Sequence, residues 1–249
     1  MKVLCLFAHY FNPEGVFKGK SKFQDASIRH EIVKNAYSSL EKIAALDVIV
    51  VGFKSKSLVP VDIDFSKKIE DPRLLIYEAF SFLNTFKHEY DYFIVIEDDI
   101  LMREDVLNNV LEFDSKNDIT EIFHPNRIEK KKEGLICIDL ASISGETGNQ
   151  KNYNGRLLKE YKNPHSAISI VSRSKLEYAT SQTDLSFRGI IIGGFMASAF
   201  ANFHRPFTLY RVSDGNDFHT VEHLDIYEER GRPNLFNRVI NKIGRFKNE

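Results

Sequence analysis

Three apolar runs, spaced by polar segments with helical periodicity, set the layout of the first part of the chain. Lys2 to Tyr10 reads K-V-L-C-L-F-A-H-Y, a nearly unbroken apolar run of the kind that a strand buried on both faces requires. From Asp25 onward Ile28, Ile32, Val33, Ala36, Tyr37 and Leu40 recur at helical spacing, with Ile43 and Ala44 extending the pattern. Asp47 to Phe53, D-V-I-V-V-G-F, is a second buried strand. After a polar connection, Asp71 and Pro72 predict a helix start, because the Asp side chain can accept first-turn N–H groups and Pro has none to leave unpaired. Leu75, Ala79, Phe82, Leu83 and Phe86 then line one face of that helix. Tyr92 to Ile96 is the third apolar run, and it stops abruptly in Glu97, Asp98 and Asp99. Strand, helix, strand, helix, strand predicts a parallel sheet with right-handed crossovers, a nucleotide-binding α/β half from residue 1 to about Asp99.

The remainder is less regular. Val106, Leu107, Val110 and Leu111 mark a short helix, and Gly134 to Leu140 a strand. Ala141 to Pro164 is rich in Gly, Asn and Ser with little periodicity, and reads either as a lid that closes over substrate or as a passive insertion. Ala167 to Val171 is a strand and Ser174 to Ala179 a short helix. Ile192, Phe195, Met196, Ala199, Phe200 and Phe203 form a core-facing stripe on a helix that Pro206 stops, and Phe207 to Val212 is a strand. In the tail, Asn234 to Phe246, an apolar face (Leu235, Phe236, Val239, Ile240, Ile243) opposes Arg238, Lys242 and Arg245. Such a basic amphipathic helix suits an anionic membrane surface, or packs on the domain or a partner. The expected division is a domain over 1–230 and a tail over 231–249.

Composition narrows the classes. A chain of 249 residues, 43% hydrophobic and 28% charged, can bury one full core. Its 34 basic and 35 acidic residues leave a net charge of −1, without the basic field that nucleic-acid binding uses, so no nucleic-acid partner is expected. Cys5 and Cys137 sit in apolar runs, which argues against a disulfide framework and for a cytoplasmic protein, with the tail at the inner face of the membrane. Val3 to Ala8 is too short for a signal peptide, and no apolar run approaches the roughly 20 residues of a membrane-spanning helix.

The chemistry centres on Glu97, Asp98 and Asp99. Carboxylates at the carboxyl end of a buried strand lie at the sheet rim, where open α/β sheets bind ligands, and they repel one another unless a cation stands among them. Oxygen ligation suits Mg²⁺ or Mn²⁺ shared with substrate phosphates. The run I-E-D-D-I after a hydrophobic strand resembles the acidic DXD-type motif of GT-A-fold glycosyltransferases, many of which spell it E-D-D. The resemblance covers residues 1 to about 105 well and the rest loosely. It implies an α/β, GT-A-like (Rossmann-like) fold with a mixed, mainly parallel sheet flanked by helices, to which the pattern adds a C-terminal amphipathic helix. It also implies metal-dependent transfer of a sugar from a nucleotide-diphosphate donor, a UDP-sugar foremost, to a hydroxyl of a glycan such as a bacterial surface polysaccharide.

Residue by residue, the resemblance makes Asp99 the metal ligand, turns Asp98 to the donor and leaves Glu97 as support. A late His often completes the metal site in such enzymes; His219 or His223 would serve, and His219 is favoured as the one closer to the preceding loop. Inverting members need an acceptor-side carboxylate as base. Asp184 in T-D-L-S-F-R-G fits, because S-A-I-S-I-V-S-R-S-K-L before it is similar to the strand and helix that introduce that Asp in bacterial lipooligosaccharide galactosyltransferases. Asp214 and Asp217 are alternatives, and a helix cap is the plain structural role for Asp184. On the donor side, the run from His9 to Asn12 lies where such folds begin to hold the nucleotide, and Arg29 and Arg73, near two helix starts, are candidates for a phosphate or base.

Two motifs point elsewhere. Gly15 to Ser21 invites a P-loop reading, with Lys18, Lys20 and Lys22 nearby, but has one residue too few between its glycines. His219-Thr220-Val221-Glu222-His223 matches H-x-x-E-H, whose two His grip Zn²⁺ from one face of a helix, and this defines a rival zinc hydrolase. A noncatalytic membrane-surface interaction protein is the third reading.

Overall fold

A computed structural model describes residues 1–12, 26–131, 134–139, 146–214 and 217–225. The Gly15 to Ser21 loop, the amphipathic tail and the boundary at residue 231 lie outside the described residues. In chain order the first strands are β1 (Val3–His9), β2 (Leu46–Gly52), β3 (Ile63–Asp64), β4 (Tyr92–Glu97), β5 (Ile100–Leu101), β6 (Glu121–Phe123) and β7 (Asn126–Lys131). They are followed by β8 (Gly134–Cys137), β9 (Glu146–Tyr153), β10 (Arg156–Tyr161), β11 (Ile168–Ser172), β12 (Thr208–Val212) and β13 (Thr220–His223). The helices are α1 (Ala26–Glu41), α2 (Leu75–Leu83), α3 (Glu104–Asp114), α4 (Arg173–Gln182) and α5 (Phe195–His204).

The central sheet has five strands in the order β11-β4-β1-β2-β3. β1 runs parallel to both β2 and β4, β2 is parallel to β3, and only β11 is antiparallel to its neighbour. Successive strand side chains point to opposite faces, so the apolar runs divide themselves. Leu4, Leu6, Phe93 and Val95 pack on one side with residues of α2, α4 and α5, whereas Cys5, Phe7, Ile94 and Ile96 pack on the other with residues of α1 and α3. Each of these side chains is at most 1% exposed, and burial of one the size of Leu or Phe contributes about 1.5–3 kcal/mol relative to exposure. The helix start at Asp71 forms as expected, with Asp71 Oδ1 accepting the Arg73 N–H at 3.0 Å ahead of a tight turn, Pro72–Leu74, that leads into α2.

The mixed α/β class and the parallel core agree with the sequence pattern, while two smaller sheets do not follow from it. One runs β6-β12-β10-β9 and the other β5-β13-β7-β8, and each mixes parallel and antiparallel pairs. The segment Ala141 to Pro164 contains a hairpin, β9 and β10, turning at Asn154 and Gly155, both with positive φ as an Asn-Gly hairpin turn requires. Most of β9 faces solvent, so ladder hydrogen bonds and cross-strand contacts such as Thr147 Oγ1 to Glu160 Oε2 (2.5 Å) hold it without apolar alternation. In the H-x-x-E-H segment, Thr220–His223 is a strand entered through a left-handed residue, His219 at φ 54°, and not the helix a zincin needs.

Buried polar groups join the sheets. Arg211, fully buried on β12, donates to the Pro125 carbonyl at 2.7 Å and the Asn163 carbonyl at 3.1 Å and lies 3.3 Å from Asp139. Asp139 also accepts from the Arg127 backbone and guanidinium, at 2.8 and 2.9 Å. Burial alone would raise the Asp139 pKa, but the two guanidinium charges hold it below the usual carboxylate range. His124 and His204 both give a ring N–H to the Pro164 carbonyl, at 2.9 and 3.3 Å, and Ser169 donates to His204 Nε2 at 2.8 Å.

Burial lowers His204 and His219 to a pKa of about 3 and His124 well below 6.5. In the unfolded chain each would titrate near 6.5. The contribution of these neutral imidazoles is therefore complete above pH about 6.5 and is lost as the pH falls toward 3, by about 1.4 kcal/mol per pH unit for each. Thermal denaturation should show a melting temperature that falls progressively below pH about 6.5, more steeply in wild type than in His204→Gln. Equal profiles for the two would contradict the buried neutral state of His204.

Candidate active site

The chain passes from β1 outward to β2 and β3 and then returns to place β4 on the other side of β1. Strand order thus reverses between β1 and β4, and the carboxyl ends of strands at such a point form the crevice in which open α/β sheets bind ligands. His9 ends β1 and Asp98 follows β4, and the two meet there: His9 Nδ1 donates to Asp98 Oδ2 at 2.6 Å. The Leu58 backbone N–H donates to His9 Nε2 at 2.9 Å, so Nε2 is the acceptor and the proton resides on Nδ1. Both side chains are nearly sealed from solvent, His9 at 0% and Asp98 at 9% exposure. Gly52, the partner of His9 on β2, keeps this corner in place, because a Cβ there would collide with the His9 carbonyl oxygen.

Asp99 leads directly into β5, and β5 pairs with β13, so the end of β4 is carried against the late H-x-x-E-H segment. The Leu224 N–H donates to the Asp99 carbonyl at 2.8 Å. As a result His223 Nε2 stands 3.7 Å from Asp99 Oδ2, while His223 Nδ1 donates to Glu129 Oε1 of β7 at 3.0 Å. Arg29, in the first turn of α1, reaches into the same corner. It donates to Asp98 Oδ1 and lies 3.6 Å from Asp99 Oδ2 and 3.7 Å from Asp225 Oδ2. Burial acts to lower the Arg29 pKa, but the charges of Asp98, Asp99 and Asp225 outweigh it and the net shift is upward.

The structure therefore brings together His9, Arg29, Asp98 and Asp99 of the residues expected from the sequence. His219 is not with them. Its Nε2 donates to the Phe123 carbonyl at 3.1 Å and its ring stacks on Phe123 at 3.7 Å between centroids, so His223 is the late imidazole beside Asp99. The zinc reading fails for the same reason: on an extended strand the two His do not share a helical face, and each has a different partner. Glu97 ends β4 half-buried, with its N–H donated to the Ala167 carbonyl at 2.9 Å, and Asn12 is half-buried beyond β1. Arg73 is fastened to Asp71 by donors at 2.6 and 2.9 Å and lies over the Phe195 ring at 5.0 Å. Asp184 is exposed and caps its own turn, accepting the Ser186 hydroxyl at 2.6 Å and N–H at 2.8 Å, and these bonds hold its carboxyl below the usual range. Of the alternatives, Asp214 lies 3.5 Å from Arg156, and the Asp217 carbonyl accepts from Arg103 at 3.1 Å.

Asp225 and Glu129 were not anticipated. Reading H-L-D as extended chain would have put His223 and Asp225 on one side, since side chains two apart on a strand share a face. Glu129 has no such local signal. Among the described residues no group of three or more His, Cys, Asp or Glu side chains forms a ready metal cage. The donor chemistry still fits a hard divalent ion, which commonly takes one or two carboxylates from protein and the rest from substrate phosphates. Arg29 already stands as a cation among three carboxylates.

No protein-family model matches the chain, and no curated protein does. Solved structures with partial likeness include the inositol-1-phosphate CTP transferase from T. maritima, at 14% identity and a TM-score of 0.44 over 98% of this chain and 96% of that one. Others are A197 from STIV, at 11% identity and 0.38 over 86% and 82%, and a CMP:2-keto-3-deoxy-manno-octonic acid synthetase complexed with CTP, at 14% and 0.39 over 85% and 90%. Among the described residues no helix is long and apolar enough to cross a membrane.

With 12% of the Arg29 side chain exposed, its removal leaves nearly buried carboxylates facing one another. Arg29→Ala should destabilise the fold by about 3 kcal/mol in urea denaturation at low ionic strength. Concentrated NaCl should recover part of that loss through screening. A loss unchanged by salt would mean that Arg29 acts through packing and not through charge.

Proposed function

We propose that the chain is a GT-A-type glycosyltransferase that moves a sugar from a nucleotide-diphosphate donor, a UDP-sugar foremost, to a hydroxyl of a glycan. The observation that supports this best is the convergence of Asp98 and Asp99 with His223 and Asp225 at the point where strand order reverses beside β1. Mn²⁺ or Mg²⁺ would be held by Asp99 together with the donor's phosphate oxygens, and when bound it would supply Lewis-acid neutralisation of charge developing on the leaving diphosphate.

The remaining work falls to the chain itself. Asp98, oriented by His9 and Arg29, presents a fixed carboxylate to donor hydroxyls. Arg29 is already desolvated and carries a fork of N–H donors that matches a phosphate, so a diphosphate entering the crevice would meet a guanidinium needing little further dehydration. Arg73, bound to Asp71 and Phe195, is the weaker of the two arginines for that task. In an inverting transfer the acceptor oxygen bonds to the anomeric carbon as the bond to the diphosphate breaks, and the acceptor proton passes to a carboxylate. Asp184 is assigned that role, and its exposure gives a glycan access to it.

The test is release of UDP from UDP-sugars with Mn²⁺ and a glycan acceptor, with EDTA as control. Asp99→Ala should lower turnover by about 10²–10³-fold, a size typical of losing one electrostatic contact to the transition state, with an unchanged circular dichroism spectrum. Asp184→Asn keeps an oxygen to cap Ser186 but no base, so a loss of kcat with a preserved fold would support the base role. Turnover that survives EDTA and Asp99→Ala would remove the glycosyltransferase reading.

A further inference from the structure

The segment between α4 and α5 is fixed to α2 chiefly by one arginine. Arg188 has five N–H donors in a planar fork, and each has a partner within the chain. Nε and Nη2 donate to Glu78 Oε1 of α2 at 2.8 and 2.6 Å, and Nη2 also donates to the Ser81 hydroxyl at 3.1 Å. Nη1 donates to two backbone carbonyls of its own segment, Leu185 at 2.7 Å and Phe187 at 2.8 Å. The guanidinium lies over the Tyr77 ring at 5.4 Å. Behind it Glu78 is 2% exposed, and Lys68 Nζ stands 2.5 Å from its second oxygen, Oε2. With every donor taken, Arg188 has none to give a ligand, and what it holds is the turn from Asp184 to Phe187. Two more side chains grip the same turn: the Ser81 hydroxyl donates to the Leu185 carbonyl at 2.8 Å, and the Asn202 amide of α5 to the Asp184 carbonyl at 3.0 Å. Fixing the backbone of an exposed turn costs conformational entropy, which these bonds offset. Beside the turn, a hollow of about 440 Å³, within the range of small-molecule sites, is lined by Lys68, Ser81, Asn84, Leu185, Ser186 and Arg188.

We propose that Arg188 is a positioning residue: it locks the turn that carries Asp184 against α2 and so holds that carboxylate beside the hollow, where a hydroxyl of the acceptor would meet it. The assignment rests on the reading of Asp184 as the acceptor-side base. Asp184 Oδ1 is occupied by the Ser186 N–H and hydroxyl, which leaves Oδ2 to take the acceptor proton. A misplacement of about 1 Å can cost roughly 100-fold in rate, so the clamp bears on turnover without touching substrate.

Water can serve as the acceptor in the test: its oxygen bonds to the anomeric carbon as the bond to the diphosphate breaks, its proton passes to Asp184, and UDP is released. UDP-glucose, UDP-galactose and UDP-N-acetylglucosamine are each supplied with Mn²⁺. Arg188→Lys keeps a charge beside Glu78 but cannot span Glu78 and two carbonyls. The double variant Glu78→Gln/Arg188→Met removes the clamp without leaving a buried charge unpaired. Both should lower kcat by about 100-fold with an unchanged KM for the UDP-sugar, and deuterium exchange at the Ser186 and Phe187 amides should quicken. In an Asp184→Asn background neither should lower kcat further, because the group to be positioned is already gone. Circular dichroism confirms the folded state of each. Equal losses with and without Asp184, a loss that falls on KM instead of kcat, or unchanged exchange overturns the positioning role. Asp184→Asn that turns over like wild type, or wild-type protein that releases no UDP, overturns the base reading itself and the inference with it, and the exchange rates then report the turn alone.

Discussion

Carboxylates gathered at the rim of a buried sheet are tolerable only with a cation among them, and Arg29 is that cation here. Asp98, Asp99 and Asp225 come from the end of β4 and the segment after β13, and Arg29 reaches all of them from the first turn of α1. Unpaired, a charge at this depth would cost several kcal/mol; held together, the four groups tie α1 to the end of β4 and to the segment after β13. The packing of α1 through Val33, Ala36 and Leu40 against the sheet therefore does more than fill the core. It holds the guanidinium at the one place where strand order makes a crevice.

A second ionic knot lies deeper. Asp139 between Arg127 and Arg211 ties β7, the chain after β8, and β12 together, and Arg211 also binds carbonyls of Pro125 and Asn163. Such a knot adds little net stability, because the cost of desolvating its charges offsets much of their attraction. It is also what sets the position of β7, and hence of Glu129 behind His223. The neutral His124 and His204, clamped on the Pro164 carbonyl, close the same region from the α5 side.

These two knots divide the labour. The inner one holds the scaffold, and the outer one gathers charge at the crevice, with Asp98 bonded closely and Asp99 and Asp225 at 3.6 and 3.7 Å from Arg29. A site that neutralises itself with its own arginine avoids a crevice of bare repulsion.

Much of the parallel core was legible in the sequence. The unbroken apolar runs of β1, β2 and β4, the helical spacing between them and the Asp71-Pro72 start each follow from local rules, because a strand covered on both faces must be apolar throughout. The place of Asp98 and Asp99 followed too, since an acidic break after such a strand can only lie at its end. What the sequence could not decide was everything that depends on residues far apart meeting. His219 and His223 sit at a spacing that suits a helix, but pairing with β5 and β7 makes Thr220–His223 a strand, with His223 beside Asp99 and His219, in the turn before it, bonded to Phe123. The hairpin within Ala141 to Pro164 carries so little apolar alternation that its Asn-Gly turn was its one local signature. Hydrophobic periodicity records which face is buried but not against what, and so the partners of Arg29, Glu129 and Asp225 were settled by the tertiary fold alone.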